Sequence, residues 1–496
     1  MTASLGRFLR HSTHYSIGEI LILLSTLVSF PITTRIFAVH EYGIMNLISN
    51  ALLVLVACAK SGLQNSVVRY YDEYAENKHP QGLPVFISTL LLGGMALALM
   101  FTLVWIIATT SFSEFWFGES IVPGLLLLSS GLIFLRASES LLLAFLRAEQ
   151  QTIFFNSYRV VAKYITLASI LVILFFVSRT LTGFYGAQLL GMSLAVFTLL
   201  GWRARKNPLH LGDFSGTVFR QALVYGFPLI GFEFVSMLLT YLDRYLIHFF
   251  LDATAVGLYS ASYNLADYLK DIVVLPFATA VMPVYMQIWA KKGPEETRKF
   301  LQSALRTYGL FAVPLIFGCA AVGENFIRII ASEKFVAGSA IIPWTIAGLM
   351  INGALPILAA SHYIQKKTRR LVGILTLTMI VNVTANWLLI PRLEIMGATI
   401  AKAFSYLLMA VIVTIYTRRF IGLQIPWAAL MKYLFAGGLM FLAIKTTHLA
   451  HPWLDLILEV ILGALVYFII VFIIDRVFRE NVDIFLRKQL GLLRRR

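Results

Sequence analysis

The sequence predicts an all-α polytopic membrane protein, with about fourteen transmembrane helices arranged as two six-helix lobes in parallel pseudo-repeat plus two extra C-terminal helices. Hydrophobic residues make up 59% of the 496 residues and charged residues only 13%, against about 45–50% and about 25% in soluble domains. Long apolar runs bounded by charges recur along the chain. Backbone groups in lipid must be satisfied internally, so such runs form helices, whereas a β-barrel would show alternating strands of about ten residues.

The spans can be assigned in chain order. Residues 1–14 form a short basic lead-in. The run from 15 to 37 is too long for a signal-peptide core and lacks a clear small-x-small cleavage site, so we interpret it as an uncleaved first span. Further spans, each long enough to cross a bilayer, are predicted at about 42–64, 84–109, 121–146, 154–177, 181–202, 221–250, 255–288, 303–322, 338–361, 370–390, 396–417, 427–447 and 454–475.

Basic residues concentrate in alternate loops, which orients the helices. The loops that are rich in Lys and Arg have these residues within 7–10, 69–78, 147, 203–220, 291–306, 366–370, 418–419 and 476–496. The opposite loops hold only Arg179, Arg328, Lys334, Arg392 and Lys445. The positive-inside rule therefore predicts that both termini lie in the cytoplasm. The net charge of +16 then reflects topology, and no nucleic-acid partner is expected.

Three short motifs recur in the same order at nearly one offset, roughly 211 to 216 residues. The pairs are 41–45 with 255–259, 146–152 with 362–368, and 183–187 with 394–398. Parallel repeats of this kind are a transporter architecture, with the substrate site at the interface of the halves. We therefore expect an N-terminal lobe at 1–202, a cytoplasmic linker at 203–220, a C-terminal lobe at 221–420, two further spans within 421–475 and a basic cytoplasmic tail at 476–496.

The stretch from 225 to 289 combines two apolar helices with unusual charges. Its second helix carries Asp267, Lys270 and Asp271 at i, i+3 and i+4, which places them on one face. Ionisable groups at bilayer depth are costly and normally face a bundle interior or a watery cavity. We predict that Lys270 contacts the substrate and that Asp267 and Asp271 hold it or couple transport to an ion. A closed triad that only packs the helix is the alternative.

Other ionisable residues inside spans allow both a structural and a functional interpretation. Lys60 lies deep in the second span and is a candidate substrate ligand. Arg159 and Lys163 have like charge at i, i+4, which favours a nearby anion, either the substrate or cytoplasmic headgroups. Glu233 lacks an evident local partner, so structural pairing and a site for H⁺ or Na⁺ coupling both stay open.

Charged residues near span ends are more consistent with structural roles. Arg35 and Arg244 are candidates for contact with lipid headgroups, and Asp243 can offset the charge of Arg244. Arg136 and Glu139, three residues apart on one helix, are expected to form an internal ion pair.

Motifs for catalysis or metal binding are absent from the sequence. It contains no phosphate-binding glycine loop, no zinc-protease helix and no metal-binding Asp-x-Asp of glycosyltransferases. Cys58 and Cys319 have no metal-ligand spacing and give no disulfide framework. His448 and His451 lie at a span end and are expected to be interfacial. We expect no enzyme activity, no metal and no cofactor apart from a coupling ion.

Further motifs are spread over roughly residues 10–420. They are 34–37 with 41–43, 66–76, 225–228, 242–244, 255–259, and 390–392 with 396–398. Together they resemble the oligosaccharide flippases of Wzx type, a polysaccharide transporter family of the multidrug/oligosaccharidyl-lipid/polysaccharide exporter superfamily. The sequence departs from that pattern at 38–40, where a Gly-Pro pair often stands.

The resemblance implies two V-shaped lobes that alternate their opening and move a polyprenyl-pyrophosphate-linked oligosaccharide across the bacterial inner membrane, for surface or exopolysaccharide synthesis. It implies membrane lipids and the polymerase and chain-length proteins of such a pathway as partners. A lipid II flippase and a cation-coupled drug exporter of the same superfamily stay open as alternatives. A membrane enzyme normally needs a large outer loop or an intramembrane His/Asp site, and the sequence shows neither. The cations inside spans match or outnumber the anions, which favours an anionic substrate.

Overall fold

The structure is a computed structural model that describes residues 2–76, 79–117, 122–447 and 451–483. The regular elements in these ranges are helical, which confirms the all-α class. The α-helices are α1 (Thr2–Ile36), α2 (Val39–Lys60), α3 (Leu63–Ala75), α4 (Gly82–Phe117), α5 (Val122–Ala148), α6 (Thr152–Phe176), α7 (Leu181–Lys206), α8 (Gly216–Phe250), α9 (Ala253–Ile330), α10 (Ile342–Gly353), α11 (Leu355–Leu358), α12 (Ala360–Ile364), α13 (Thr368–Ile421), α14 (Trp427–Lys445) and α15 (Pro452–Ile474).

Many of the helices are long enough to span a membrane. Twelve helical segments of the described chain are long and apolar enough to cross a membrane. The two longest of them, 253–330 and 369–421, each contain a break in the helical backbone, at Gly293 of α9 (φ 79°) and at Glu394 of α13 (φ 51°). Each break falls between two spans that the sequence separates. A multi-pass membrane protein is therefore confirmed, while the number fourteen stays a prediction.

The chain divides into two compact units, residues 1–245 and 246–496. The boundary falls near the end of α8, whereas the sequence places a linker at 203–220 before that helix. In the first unit, a core of buried apolar side chains includes Tyr74 and Phe86, whose rings stack with 4.4 Å between centroids. The part of the basic tail beyond residue 483 lies outside the described residues.

The last two helices are packed into the second unit. Tyr433 and Met440 of α14 and Tyr467 of α15 are buried against apolar residues from the later part of α9. The hydroxyl of Tyr467 donates to the carbonyl of Leu310, with 3.0 Å between the oxygens. Helices α14 and α15 therefore share one core with α9.

The repeat is visible in one pair of turns. Gln150 precedes α6 and Lys366 precedes α13, and both have φ 56°. In each turn the next amide donates to the carbonyl five residues earlier: Gln151 to Leu146 at 3.0 Å and Lys367 to His362 at 2.9 Å. The same backbone turn is therefore built twice, once in each unit.

The helix of the second predicted span is interrupted directly after Lys60. Helix α2 ends at Lys60, and Ser61 (φ 48°) and Gly62 (φ 72°) are left-handed. Glycine adopts this conformation without steric cost. Gly62 also packs backbone to backbone against Gly226 of α8, since a Cβ on Gly226 would lie 2.6 Å from the Gly62 carbonyl oxygen. This close contact joins the break to α8.

Candidate substrate-binding sites

A cavity of about 340 Å³ in the first unit is lined mainly by charged side chains of α5 and α6. Three arginines face it, Arg136, Arg147 and Arg159, against a single lining glutamate, Glu139. Arg136 and Arg159 are half-buried and Arg147 is exposed, and guanidinium groups that converge on one space favour an anion between them. The excess of guanidinium groups makes this cavity suitable for an anionic ligand.

Neighbouring side chains hold the arginines in place. Arg159 donates to Glu19 of α1, with 2.6 Å between Nη1 and Oε1. The guanidinium carbons of Arg147 and Arg159 lie 5.6 Å and 5.4 Å from the centroid of the Phe155 ring. One aromatic ring therefore contacts two cations, a favourable arrangement for both.

Arg136 has a different partner from the expected one. Its Nη2 donates to Oε1 of Gln188 on α7 at 2.9 Å, and the expected ion pair with Glu139 is not formed. The reason is geometric, since an i, i+3 spacing brings side chains near one another but packing against α7 offers a better-placed acceptor. Arg136 and Arg147 are eleven residues apart, so the arginines span about 16 Å along α5.

Lys60 and Glu233, both candidates from the sequence, contact each other. Nζ of Lys60 lies 2.8 Å from Oε1 of Glu233, with the side chains 14% and 30% exposed. The pair lies in the first unit and joins α2 to α8. Glu233 therefore has a structural partner, and its role in ion coupling stays a prediction. Lys163, in contrast, makes no ion pair within the described part of the chain.

The triad in α9 forms as the spacing predicts. Lys270 Nζ lies 2.7 Å from Oδ1 of Asp267 and 3.1 Å from Oδ1 of Asp271. The lysine side chain is 18% exposed. The three groups therefore form one partly accessible cluster with a net negative charge. Whether Lys270 contacts substrate stays a prediction.

The charged residues near span ends differ in how far their side chains are buried. Arg35 is exposed in the last turn of α1. Asp243 and Arg244 of α8 are 0% and 1% exposed, and Arg244 Nη1 lies 3.2 Å from Asp243 Oδ1. Burial favours the structural role for this pair and disfavours a headgroup contact. His451 precedes α15, and His448 lies outside the described residues.

Two further ion clusters lie at helix ends. Glu149, in the turn after α5, accepts from Arg203 and, at 2.8 Å, from Lys206. Burial would raise the pKa of the Glu149 carboxyl, but the hydrogen bonds from Lys206 and Arg203 outweigh burial and hold its pKa below the usual value of 4.5. The cluster ties the α5–α6 turn to the end of α7.

The second cluster joins α15 to α9 and α14. Asp475 accepts from Arg306 and from the Tyr433 hydroxyl at 2.9 Å. Burial would raise the pKa of Asp475, but the hydrogen bonds from Arg306 and Tyr433 keep it below its usual value. This polar contact lies at the edge of the apolar core formed by the same helices.

Sequence reasoning missed Arg147 and Phe155, which line the cavity, and Glu19 and Gln188, which accept hydrogen bonds from its arginines. The sequence places Arg147 in a loop. The i, i+4 spacing of Phe155 and Arg159 is a signal for their contact on one helix face. Glu19 is an isolated acid in the apolar first span, and this is a second signal that a cation lies nearby. Among the described residues, no group of three or more His, Cys, Asp or Glu side chains could hold a metal ion.

Comparison with known proteins places these features in a family. Residues 32–341 match the family described as polysaccharide biosynthesis protein. A probable flippase, AglR from Haloferax volcanii, is 23% identical over 261 residues, which are 51% of this chain and 54% of that protein. The chain spans about half the length of the curated relatives it matches.

Solved structures show the same fold at low identity. A lipid II flippase, MurJ, in an inward closed conformation covers 96% of this chain and 100% of its own, with a TM-score of 0.76 and 16% identity. An inward-facing multidrug resistance MATE family transporter of the MOP superfamily covers 85% of this chain and 99% of its own, with a TM-score of 0.65 and 13% identity. The family match covers well over half of the chain and confirms the resemblance found in the motifs: the chain belongs to the polysaccharide biosynthesis protein family.

Proposed function

We propose that the chain is a flippase that moves a polyprenyl-diphosphate-linked oligosaccharide across the membrane by alternating access. The observation that carries the proposal is the arginine-lined cavity of the first unit, formed by Arg136, Arg147 and Arg159. Guanidinium groups bind phosphate oxygens through paired, charge-assisted hydrogen bonds. A cationic drug would be repelled by the same groups, so the cavity supports an anionic cargo.

The relatives support a glycan as the cargo. AglR is named a probable flippase, and the family description refers to polysaccharide biosynthesis. The lipid II flippase shares the fold and its cargo is the main alternative. On this proposal the chain works in a cytoplasmic membrane of a bacterium with both termini inside, serving the polymerase and chain-length proteins of a polysaccharide pathway.

The proposal includes coupling to an ion. Moving a diphosphate out of a negative-inside cell is electrically downhill by about 2.3 kcal/mol per charge per 100 mV. In the return step the cations of the empty carrier move inward, which the same potential favours, and an inward-moving H⁺ or Na⁺ would add to the driving force. We propose Glu233 or the pair Asp267 and Asp271 for that role. Transport in vesicles with each gradient collapsed separately tests it, and indifference to both gradients contradicts it.

The proposed cargo is tested in proteoliposomes with a fluorescent polyprenyl-diphosphate oligosaccharide. Arg136→Gln removes one cavity cation and keeps a side-chain amide that can still donate to Gln188. We expect transport at least about tenfold slower, since hydrogen bonds to charged groups contribute about 1.5–3 kcal/mol. Arg205→Gln is the matched control, because Arg205 is exposed on α7 in the same unit and does not line the cavity.

Three outcomes contradict the proposal. Equal transport by Arg136→Gln and Arg205→Gln would show that the cavity takes no part in transport. Faster movement of lipid II than of the oligosaccharide would assign the alternative cargo. Transport of cationic dyes in place of either lipid would assign drug export.

A further inference from the structure

A second cavity, of about 550 Å³, lies in the second unit beside the end of α13. Leu407, Val411 and Ile415 line one wall at i, i+4 and i+8, and each is about half exposed. This spacing makes a continuous apolar stripe on one face of the helix. The segment that connects α13 to α14 closes the other side with Gln424 and Ile425.

The cavity changes from apolar to cationic along its length. Arg418 continues the stripe at i+11 and lines the end of the cavity. Within the described part of the chain its guanidinium makes no ion pair. The guanidinium of Arg298 lies beside Gly422, four residues after Arg418, since a Cβ on Gly422 would be 3.5 Å from its Nη1. The cationic end therefore has no compensating carboxylate among its described lining residues.

The dimensions match one leaflet of a membrane. From Leu407 to Arg418 the helix rises about 16 Å, and half of a typical hydrocarbon core is about 15 Å. Trp427, at the start of α14, also lines the cavity and is 64% exposed. Tryptophan is enriched at the membrane–water interface. Arg418 and Trp427 are therefore residue types suited to the level of a phospholipid phosphate.

We propose that this cavity binds one anionic phospholipid, with an acyl chain along the stripe of Leu407, Val411 and Ile415 and the phosphate on Arg418. Gln424 donates to the headgroup from the other side. Basic pockets between transmembrane helices on the cytoplasmic side are known to suit anionic headgroups, and the predicted topology places Arg418 on that side. The proposal does not depend on the cargo, because the site is in the second unit and the arginine cavity is in the first.

The occupant is a bulk membrane lipid and not the polyprenyl part of the cargo. The part of the stripe that lines the cavity is about as long as one leaflet is deep, which matches the length of an acyl chain. A polyprenyl chain is several times longer and would leave most of its length outside the cavity. The cationic end of the cavity discriminates between phospholipids, since zwitterionic headgroups carry a cation that Arg418 repels.

The test uses the purified full chain in detergent, titrated with dioleoyl phosphatidylglycerol and, separately, with dioleoyl phosphatidylcholine. Binding is followed by native mass spectrometry and by the lipid-dependent rise in melting temperature. We expect phosphatidylglycerol to bind at least about tenfold more tightly than phosphatidylcholine. Arg418→Ala lowers the affinity for phosphatidylglycerol about tenfold, the loss expected for a hydrogen bond to a charged group.

Two variants serve as controls. Arg419→Ala removes the same charge from the next residue, which does not line the cavity, and we expect its affinity to stay within about twofold. Ile415→Trp fills the exposed groove, and we expect it to prevent binding of either phospholipid. Equal losses in Arg418→Ala and Arg419→Ala would mean a diffuse surface attraction and overturn the proposal. Unchanged binding in Ile415→Trp, or displacement of phosphatidylglycerol by equimolar undecaprenyl phosphate, would also overturn it.

Discussion

Nζ of Lys60 on α2 lies 2.8 Å from Oε1 of Glu233 on α8, in a pair whose side chains are 14% and 30% exposed. Removing one partner leaves a partly buried charge alone. We expect Lys60→Met and Glu233→Gln each to lower the free energy of unfolding by about 1–3 kcal/mol. The double variant should lose less than the sum, which a double-mutant cycle in detergent measures. Additive losses would show that the pair contributes no coupling energy.

Gly62 is the residue of this region that tolerates substitution least. An alanine there must hold φ 72°, and its Cβ would overlap the carbonyl oxygen of Gly226. We expect Gly62→Ala to lower membrane abundance severely, since left-handed backbone alone costs about 1–2 kcal/mol and overlap adds to it. Gly186→Ala is the control, because nothing lies within 4 Å of a Cβ there. Equal abundance of both variants would refute the close contact.

The cluster around Glu149 predicts a pH dependence. Because the folded pKa of Glu149 lies below its usual value of 4.5, the stabilisation is fully present above that usual value. It is lost as the pH falls through the lower, folded pKa. We therefore expect the difference in melting temperature between wild type and Glu149→Gln to shrink on acidification from about pH 7 to about pH 3. Glu480→Gln removes an exposed carboxylate and should show no such convergence.

Variants of the triad in α9 can distinguish an effect on folding from an effect on transport. Lys270→Ala leaves Asp267 and Asp271 close together without their cation, so we expect reduced abundance. Adding Asp267→Asn and Asp271→Asn should restore abundance, because no charge is then left. If Lys270 contacts the diphosphate, this triple variant accumulates normally yet exports no glycan, and Lys270→Arg keeps part of the activity. Normal export by the triple variant would make Lys270 purely structural.

Topology is tested with reporter fusions. The loop charges predict that fusions at Leu209 and at Arg496 read cytoplasmic and that one at Glu119 reads periplasmic. The last two positions lie outside the described residues. A periplasmic signal at Leu209 would reverse the orientation assigned to α7 and α8.

Local features of the structure could be predicted from the sequence because lipid imposes them. The breaks at Gly293 and Glu394 fall between spans that apolar length already separates. The pairing of Lys270 with Asp267 and Asp271 follows from helical periodicity alone. The matched turns at Gln150 and Lys366 follow from a short motif repeated at the same offset.

Partners between helices could not be predicted in this way. Lys60 and Glu233 are 173 residues apart, and Arg159 and Glu19 are 140 apart. Periodicity assigns each of these residues to a face but says nothing about which helix packs against that face. The same limit explains why the expected pair of Arg136 and Glu139 is replaced by a contact to α7.

The contact between Arg306 and Asp475 has a consequence for biosynthesis. The two residues are 169 positions apart, and a ribosome adds about 5–20 residues per second. Arg306 is therefore synthesised roughly 10 to 30 seconds before its carboxylate partner. During that interval the nascent second unit carries an arginine whose counter-ion is still missing.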